Sequence, residues 1–300
     1  MKKVAIVILH YNGKKDTLEC LESISKLSFK NIEPLIIVVD NGSAEEFKAE
    51  GIKVIRSEKN LGFAGGNNIG INYALGKESD YILVLNNDTI VEENLINELL
   101  NVISENKNAG VVVPKIYFTK GQEFHKNRYK EKELGKVIWY AGGIFDWKNI
   151  IGYHKGVDDV DTGQYGKIEE TEFATGCCFM AKREVFEKAG LLDEKYYLYY
   201  EDADLSQRVK KEGYKILFVP KAIVWHNNAG SAGGSGSSLQ DYYITRNRIL
   251  FGLRYAPFRS KLPLIYESFR LLINGRKWQK RGVLDLYLQR FGKGSYKSSL

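Results

Sequence analysis

The sequence predicts an α/β fold in which a mixed, mostly parallel sheet is flanked by helices, and three observations lead to this prediction. Short apolar segments alternate with helical ones at the spacing of βαβ units. Residues 81–85 are five consecutive apolar residues between polar neighbours, as in a strand that is buried on both faces of a sheet. A chain of 300 residues with 44% hydrophobic content can also bury a substantial core.

The first third of the chain contains the clearest alternation. A strand over residues 4–9 precedes a helix with an apolar residue at every third position, and a second strand covers residues 35–39. A short strand around residues 54–55 leads into a glycine-rich segment over residues 62–70 and a helix. The buried strand at residues 81–85 then forms the centre of the predicted sheet.

Three short polar residues, Asn86, Asn87 and Asp88, follow this central strand directly. One carboxylate beside two amide groups offers the hard oxygen ligands that Mg²⁺ or Mn²⁺ prefers, and such an ion can also hold phosphate oxygens. The alternative is a turn that caps a helix beginning near Glu93, because Asn and Asp are common turn and N-cap residues. Both interpretations are open at this point.

Polar residues also follow the first two strands, at Tyr11 and Asp40. Open α/β sheets bind ligands at the carboxyl ends of their strands, so three successive strands bring polar side chains to one edge. The glycine-rich segment lacks the GxGxxG spacing and the lysine of a P-loop, so it does not favour a dinucleotide or ATP site. Its glycines either allow close approach to a ligand or serve a loop with unusual dihedral angles.

The middle of the chain is less regular. A strand is predicted over residues 110–113, and a charged, solvent-exposed insertion over residues 120–136. Residues 137–145 and 173–180 are predicted as strands near the cleft, the second of them buried. The three cysteines form no CxxC pattern, which favours core residues in a reducing compartment over a zinc site.

A second polar cluster consists of Glu201, Asp202 and Asp204, after a segment that contains four tyrosines. Acidic residues at a helix N-terminus interact favourably with the helix dipole, so simple capping is one interpretation. The other is a pocket with tyrosine walls in which a carboxylate acts as a general base. Farther on, strands over residues 216–220 and 223–225 end at His226, which is either a structural residue or a metal ligand beside a Gly/Ser-rich loop.

The net charge of +7 is concentrated in the last part of the chain. Residues 239–300 contain thirteen Lys and Arg against three Asp and Glu, whereas residues 1–238 contain 31 against 34. We therefore predict no nucleic-acid partner, a domain over residues 1–238 and a basic, amphipathic helical extension over residues 239–300. The extension either binds a membrane surface or forms a helical cap on the first domain. Its basic residues include Arg246, Arg248, Arg254, Arg259 and Lys261.

The chain shows no signal for export or for a membrane span. Only six apolar residues follow the N-terminal Met-Lys-Lys before His10, which is too short for a signal peptide. No later apolar run approaches the ~18 residues of a transmembrane helix. We expect a cytoplasmic protein that is peripheral on the inner face of the cell membrane if the extension binds lipid.

Several of these motifs together resemble the inverting glycosyltransferases of family two, which have the GT-A fold. The resemblance covers residues 3–238 and is closest to the rhamnosyltransferase-like branch, whose members build cell-surface polysaccharides and glycolipids. The motifs occur in the family's order, at residues 8–12 (ILHYN), 39–43 (VDNGS), 60–63 (NLGF), 85–88 (LNND) and 200–204 (YEDAD).

The resemblance implies a nucleotide-diphosphate sugar as donor and a glycan or lipid-linked glycan as acceptor. It implies that Tyr11 stacks on the donor base, that Asp40 hydrogen-bonds the base, and that Asn67 and Asn87 lie near the donor. Asp202, with Glu201 beside it, matches the family's catalytic base. Asp88 matches the metal-binding end of the DxD motif, whose first aspartate is Asn86 in this chain, and His226 would complete a Mn²⁺ or Mg²⁺ site.

The implied reaction is a single displacement that inverts the anomeric carbon, with rhamnose as the best candidate for the transferred sugar. Two other functions compete with it. The weakened DxD motif is also compatible with a catalytically weak nucleotide-sugar binding protein. A nucleotide-dependent oxidoreductase is the second alternative, and the missing GxGxxG argues against it.

Overall fold

The computed structural model describes residues 1–227 and 236–297. Its first part alternates strands and helices as predicted, since the apolar runs that fill the sheet are separated by polar turns. The elements of this part are β1 (Lys2–His10), α1 (Lys14–Ser25), β2 (Ile32–Asp40), β3 (Lys53–Arg56), α2 (Gly62–Gly76), β4 (Tyr81–Asn86), β5 (Thr89–Val91) and α3 (Leu95–Glu105).

The second part contains shorter strands and the three C-terminal helices. Two 3₁₀ turns, Lys126–Arg128 and Glu131–Glu133, lie in the predicted insertion, and most of its side chains are exposed. The other elements are β6 (Ala109–Phe118), β7 (Ile138–Tyr140), β8 (Gly143–Asp146), β9 (Ile151–His154), β10 (Glu169–Glu170), β11 (Cys178–Lys182), α4 (Arg183–Ala189), α5 (Glu201–Lys211), β12 (Lys215–His226), α6 (Ser238–Tyr255), α7 (Phe258–Asn274) and α8 (Lys277–Tyr287).

Ten strands of the described residues form one mixed sheet, in the order β10-β12-β6-β11-β4-β1-β2-β3, with β5 beside β12 and β7 beside β6. The longest pairings are parallel: β1 lies between β2 and β4, and β12 runs parallel to β6. Strand β11 is antiparallel to both β4 and β6 and joins the two parallel parts. The predicted α/β class with a mixed, mostly parallel sheet between helices is confirmed.

The glycine-rich segment is part of helix α2, which packs directly on β1. A Cβ atom on Gly66 would lie 2.3 Å from Cδ1 of Leu9, and one on Gly70 would lie 2.3 Å from Cγ1 of Val7. Only Gly62, the first residue of α2, has a positive φ, at +74°. Two of the four glycines in this segment, Gly66 and Gly70, therefore serve the close approach of helix and sheet.

Three predicted strands have different limits in the structure. The segment 137–145 is divided into β7 and β8 at Gly142, whose φ of +104° breaks the extended chain. The segment 173–180 is extended as β11 only from Cys178. The two strands predicted around Pro220 are one strand, β12, because its pairing with β6 shifts register between Val219 and Ile223 rather than ending there.

The C-terminal helices pack on the sheet domain through α6, in which Arg246 and Asn247 are completely buried. Arg248 forms an ion pair with Glu267, and Arg254 forms one with Asp204. Arg246, Arg248 and Arg254 each bind groups of this chain, so these three residues favour the helical cap over the membrane surface among the two alternatives for the extension. The division of the chain at residue 238 stays a prediction. No helix of the described residues is long and apolar enough to cross a bilayer.

Candidate functional site

A cleft of about 300 Å³ opens at the carboxyl ends of β1, β2 and β4. Tyr11, Asn86, Asn87 and Asp88, which the sequence singled out, all lie on its wall, so the structure brings these four residues together. The remaining wall comes from the start of α2 and from the segment before α5. The lining residues are Leu9, Tyr11, Asn41, Asn60, Gly62, Phe63, Asn86, Asn87, Asp88, Tyr197, Leu198 and Leu239.

Asp88 and His226 form a close pair beside this cleft. His226 Nε2 lies 3.3 Å from Asp88 Oδ1, because β5 and β12 pair with Thr89 opposite His226. The backbone N–H of Asn227 donates to the carbonyl oxygen of Asp88 at 2.7 Å and fixes the turn. The His226 ring contacts Trp139 edge-on, with 4.6 Å between the ring centroids.

Within the described residues, the free atoms and the separation of Asp88 and His226 fit a cation site. Asp88 Oδ1 is buried and has no hydrogen-bond partner within the described part of the chain, and the same holds for His226 Nδ1. Two ligands at about 2.1 Å from one octahedral ion lie about 3 Å apart, close to the 3.3 Å seen here. Residues 1–227 and 236–297 contain no group of three or more His, Cys, Asp and Glu that could hold a metal. A divalent ion here would therefore need further oxygen ligands, such as the amide of Asn86 or the phosphates of a ligand.

Asn87 is held by α1, since its Nδ2 donates to Thr17 Oγ1 at 2.9 Å. Tyr11 is 49% exposed, which leaves its ring available for stacking. Asn67 and Asp40 differ from these residues, because both are completely buried behind the wall of the cleft. Asn67 Nδ2 donates to the Phe63 carbonyl oxygen at 3.0 Å, and its Oδ1 has no partner among the described residues.

Both oxygens of the Asp40 carboxylate accept hydrogen bonds from groups of this chain. Oδ1 accepts from the N–H of Ser43 at 3.0 Å, and Oδ2 accepts from the N–H of Phe47 at 3.1 Å and from Arg56 at 2.5 Å. Burial alone would raise the pKa of Asp40, but these hydrogen bonds and the Arg56 charge outweigh it and hold the pKa below its usual value. Direct contact of Asp40 with a ligand would require some of these bonds to open.

Two asparagines of the cleft, Asn41 and Asn60, lie inside the motifs that carry the resemblance but were not among the predicted site residues. Asn41 Nδ2 donates to Asn60 Oδ1 at 3.2 Å and to the Gly62 carbonyl oxygen at 3.1 Å. Asn41 Oδ1 accepts from the N–H of Leu61 at 2.9 Å. The two asparagines thus connect the end of β2 to the start of α2 across the floor of the cleft.

The three acids at the start of α5 have different surroundings. Asp204 is completely buried and accepts hydrogen bonds from four side chains, which makes it structural. Asp202 Oδ2 accepts from the N–H of Gly176 at 2.9 Å, and Oδ1 accepts from the N–H of Ala203 at 2.7 Å. The four donors to Asp204 are Tyr196, Arg208, Arg254 and Tyr255.

Glu201 is buried, and its Oε2 atom has no partner in the described residues. Burial raises the pKa of Glu201 well above its ordinary value, and the neighbouring negative charge of Asp202 raises it further. Burial also raises the pKa of Asp202, against the opposing effect of the N–H groups of Gly176 and Ala203. The raised pKa makes the ionised form of either carboxylate a stronger proton acceptor than an ordinary carboxylate.

A single chain segment connects the Glu201-Asp202 pair to the cluster of Asn86, Asn87 and Asp88. Gly176 donates to Asp202, while the carbonyl oxygen of the next residue, Cys177, accepts from the N–H of Asn86 at 2.8 Å. The candidate base and the candidate metal residues are thus hydrogen-bonded to adjacent residues, Gly176 and Cys177, immediately before β11. Phe63, which lies on the cleft wall, comes within about 3 Å of where a Cβ on Gly176 would be.

The segment before α5 has an unusual backbone. Tyr197, Tyr199 and Tyr200 have φ angles of +66°, +69° and +73°, in the left-handed region that residues with large side chains rarely adopt. Arg246 Nη2 donates to the carbonyl oxygens of Lys195 and Tyr196, at 3.1 and 2.9 Å. The amide of Asn247 also binds carbonyl oxygens of this segment.

Sequence reasoning missed this clamp, since it named Arg246 only as one basic residue of an extension that either binds a membrane surface or caps the first domain. The available signal was an adjacent Arg and Asn between the aromatic pair Tyr242-Tyr243 and the apolar pair Ile249-Leu250. The carbonyl oxygens that accept from Asn247 Nδ2, at 2.9, 2.8 and 2.9 Å, belong to Tyr196, Leu198 and Tyr199.

Comparison with known proteins identifies the family. Residues 5–190, more than half of the chain, match the family model described as Glycosyl transferase family 2. The chain belongs to glycosyl transferase family 2. The family resemblance inferred from the motifs is therefore confirmed, and the protein is an enzyme of the transferase class. Membership also excludes the oxidoreductase alternative.

Two characterised relatives of this transferase carry names from glycan synthesis. One is the low-salt glycan biosynthesis hexosyltransferase Agl10 of Haloferax volcanii, which is 27% identical over 91% of this chain and 82% of its own length. The other is the N-acetylglucosaminyl-diphospho-decaprenol L-rhamnosyltransferase of Mycobacterium tuberculosis, which is 25% identical over 72% of this chain and 74% of its own.

A solved structure supports the fold of the transferase. The crystal structure of GalNAc-T7 with UDP, GalNAc and Mn²⁺ superposes on 96% of this chain with a TM-score of 0.62. The sequence identity is 19%, so this similarity concerns the fold alone. This chain spans 57% of the length of the GalNAc-T7 chain.

Proposed function

We propose that this transferase moves a sugar, with rhamnose as the best candidate, from a nucleotide-diphosphate donor to a hydroxyl of a glycan or lipid-linked glycan. The transfer inverts the anomeric carbon and serves cell-surface polysaccharide synthesis. One observation carries the proposal. Asp88 Oδ1 lies 3.3 Å from His226 Nε2 and has no hydrogen-bond partner in the described residues, beside a cleft that Tyr11 also lines. The name of the mycobacterial relative supports both rhamnose and a lipid-diphosphate acceptor.

In this proposal the nucleotide lies along the cleft, with its base on the half-exposed ring of Tyr11. Asn87 lines the same wall and contacts the donor. Asp40 and Asn67 are completely buried, so we assign them to the support of the donor-binding surface. Asp40 does so by holding the backbone at Ser43 and Phe47.

Asp88, His226 and Asn86 are the residues that would hold a Mn²⁺ or Mg²⁺ ion, since a carboxylate, an imidazole and an amide oxygen suit such a cation. When bound, the ion neutralises the negative charge that develops on the departing diphosphate. Trp139 packs against His226 and holds the orientation of its ring for this role.

The carboxylate of Asp202 accepts the proton of the acceptor hydroxyl. The oxygen of that hydroxyl forms a bond to the anomeric carbon while the bond from this carbon to the diphosphate oxygen breaks, and the nucleoside diphosphate leaves with the bonding electrons. Gly176 and Ala203 hold Asp202 through their N–H groups. Burial and the charge of Asp202 raise the pKa of Glu201 and disfavour its ionised form, so we assign the role of base to Asp202.

The decisive experiment is a panel of nucleotide-diphosphate sugars, rhamnose donors included, tested for thermal stabilisation with and without Mn²⁺. Donors that stabilise the protein are then offered with glycan and lipid-linked glycan acceptors, and NMR determines the anomeric configuration of the product. Transfer with inversion is the expected result. Stabilisation without transfer or donor hydrolysis would instead favour the catalytically weak binding protein, and a retained anomeric configuration would exclude the single displacement.

A lipid-linked acceptor would place the reaction at a membrane. We therefore propose that the enzyme works in the cytoplasm at the inner face of the cell membrane, and that residues 239–300 bring it there. Arg246, Arg248 and Arg254 do not take part in this attachment, because they bind groups of this chain. Cell fractionation of the natural protein and of a variant in which the exposed residues Phe258, Tyr266 and Ile273 are replaced by serine tests the location.

A further inference from the structure

Helix α7 turns its most apolar side towards solvent. Phe258 is 74% exposed, and Tyr266 and Ile273 are each 72% exposed. The opposite side of the helix packs Leu264 and Ser268 into the protein. The exposed apolar residues recur after four, four, three and four positions, which places them in one stripe: Phe258, Leu262, Tyr266, Phe269 and Ile273.

Helix α8 extends this stripe. The ring of Tyr287 stacks on the ring of Phe269, with 5.7 Å between the centroids and 19° between the planes. Leu284 and Leu288 are exposed as well. The stripe on α7 together with Leu284, Tyr287 and Leu288 forms one continuous surface, called here the α7–α8 face.

The charge around the α7–α8 face is strongly positive. Residues 258–297 contain ten Lys and Arg against two Asp and Glu. Glu267 is paired with Arg248 at 2.5 Å, and Asp285 is completely buried and accepts from Tyr242 at 2.5 Å. Asp285 also lies 3.9 Å from Arg281 Nε and 4.0 Å from Arg290 Nη1 and offsets part of their charge, but ten cations against two acids leave this surface positive.

A basic cleft of about 510 Å³ adjoins the face at Leu284. The aromatic ring of Trp278 and the apolar side chains of Leu272 and Leu284 form part of its wall. Cationic side chains from α8 and the segment after it complete the wall: Lys277, Lys280, Arg281 and Lys297. An anionic group, such as a phosphate, fits this combination better than a neutral ligand does.

We propose that the α7–α8 face docks on an anionic lipid surface, with the apolar stripe in the boundary between head groups and acyl chains and the basic cleft against lipid phosphates. Burial of apolar side chains and attraction of Lys and Arg to anionic lipids act together on such a face. A second copy of this chain is a poorer occupant, because it would bring the same positive charge against the face. The inference rests on the proposed function for its reason to approach a membrane, namely a lipid-linked acceptor.

The test is flotation of the full chain with vesicles of neutral lipid alone and with vesicles that contain anionic lipid, at low and high salt. Binding should require the anionic lipid and weaken with salt. A Phe258→Ser, Tyr266→Ser, Ile273→Ser variant should bind at least about tenfold more weakly. Its matched control is Ile144→Ser, Tyr153→Ser, Ile168→Ser, which changes three apolar residues of 48%, 49% and 54% exposure elsewhere.

The basic cleft needs a control of equal charge. Lys277→Gln, Lys280→Gln, Lys297→Gln should weaken binding to anionic vesicles by about tenfold or more, since each cation near the surface contributes separately. Lys107→Gln, Lys126→Gln, Lys132→Gln removes the same charge from exposed lysines of another surface and should bind like the natural protein. Equal binding by the two variants would overturn the proposed role of the cleft.

Two further outcomes would overturn the proposal. One is undiminished vesicle binding by the Phe258, Tyr266, Ile273 variant when its melting temperature is unchanged. The other is concentration-dependent dimerisation without lipid that this variant abolishes, which would make the face an interface between copies. Donor binding and transfer to a water-soluble acceptor are measured on the same variant and should be unaffected, so failure of the docking surface remains distinct from failure of the proposed reaction.

Discussion

Asn247 Nδ2 donates a hydrogen bond to the carbonyl oxygen of Tyr199 at 2.9 Å, and this contact connects helix α6 to the strained turn that ends at Glu201. Three tyrosines of that turn have positive φ angles. Such a backbone persists only where surrounding contacts determine it, and Arg246 and Asn247 supply those contacts. The C-terminal helices therefore contribute to the geometry of the candidate base.

We predict that Asn247→Ala lowers the free energy of unfolding by about 1–3 kcal/mol, because buried carbonyl oxygens lose their donor. At temperatures where the variant is folded it should also lower kcat and raise the KM for donor, because the clamped segment leads into Asp202 and supplies Tyr197 and Leu198 to the cleft wall. Thermal melts and steady-state kinetics measure the two effects. Asn101→Ala, at an exposed position of α3, is the control. An unchanged kcat in folded Asn247→Ala would show that the clamp serves stability alone.

The candidate base gives the second prediction. Asp202→Asn keeps the size of the side chain but cannot take a proton, so turnover should fall by about 10²-fold or more while the dissociation constant of the donor barely changes. Asp204→Asn should act on stability instead, because it removes the charge between Arg208 and Arg254. Transfer rate, donor affinity and melting temperature are measured for both. Near-normal turnover of Asp202→Asn would refute the assignment, and loss of donor binding would make Asp202 a helix cap.

The buried Glu201 predicts a pH dependence of stability. Burial and the charge of Asp202 raise the pKa of Glu201 well above its ordinary value of 4.5, so the folded state binds this proton more tightly than the unfolded state. The stability that Glu201 contributes is thus greatest below pH 4.5 and is lost as the pH rises towards the raised pKa of the folded state.

Glu201→Gln removes the titrating group and should make the melting temperature fall less steeply over that pH range. Melting curves of the variant and the natural protein at a series of pH values, from about 4 to about 9, measure the difference. Glu105→Gln changes an exposed glutamate and should follow the natural protein. Parallel curves for Glu201→Gln and the natural protein would mean that Glu201 does not titrate in this range.

The local sequence alone predicted the strands whose side chains are completely buried. Strands β1 and β4 have apolar runs with Val4 and Leu83 at 0% exposure, and such runs predict strands without knowledge of their partners. The order of the strands then brought Tyr11, Asn86, Asn87 and Asp88 to one cleft, since parallel strands end at the same edge.

Contacts between distant segments decided what the sequence alone could not. Arg246 binds the carbonyl oxygen of Tyr196, 50 positions earlier, so its burial follows from a partner that helical periodicity does not report. The exposed stripe on α7 was missed for the same reason, because apolar residues at helical spacing predict a packed face whichever side meets the protein. The break at Gly142 depends on a positive φ angle, which sequence periodicity does not contain.

The candidate metal residues give the fourth prediction. Asp88→Ala should abolish the Mn²⁺-dependent part of nucleotide-diphosphate binding, because Asp88 supplies the only carboxylate of its cluster with Asn86 and Asn87. His226→Ala should weaken it, since water can partly replace a neutral ligand. Calorimetry of nucleotide diphosphate with and without Mn²⁺ measures both. Unchanged affinity in Asp88→Ala would remove the metal site from the proposed mechanism.

The fifth prediction concerns the packing of α2 on the sheet. A Cβ atom on Gly70 would lie 2.3 Å from Val7 Cγ1 and 3.1 Å from Val39 Cγ2, in a region without room to relax. Gly70→Ala should therefore lower the free energy of unfolding by about 1–3 kcal/mol through overpacking.

Gly76, in the same helix, is the matched control, because nothing lies within 4 Å of the position that its Cβ would take. Gly76→Ala should leave stability unchanged or raise it by up to about 1 kcal/mol, since alanine loses less backbone entropy on folding. Denaturant unfolding of both variants at one temperature measures the difference. The two substitutions make the same chemical change, so equal stability of the variants would mean that α2 does not pack on β1 as closely as described.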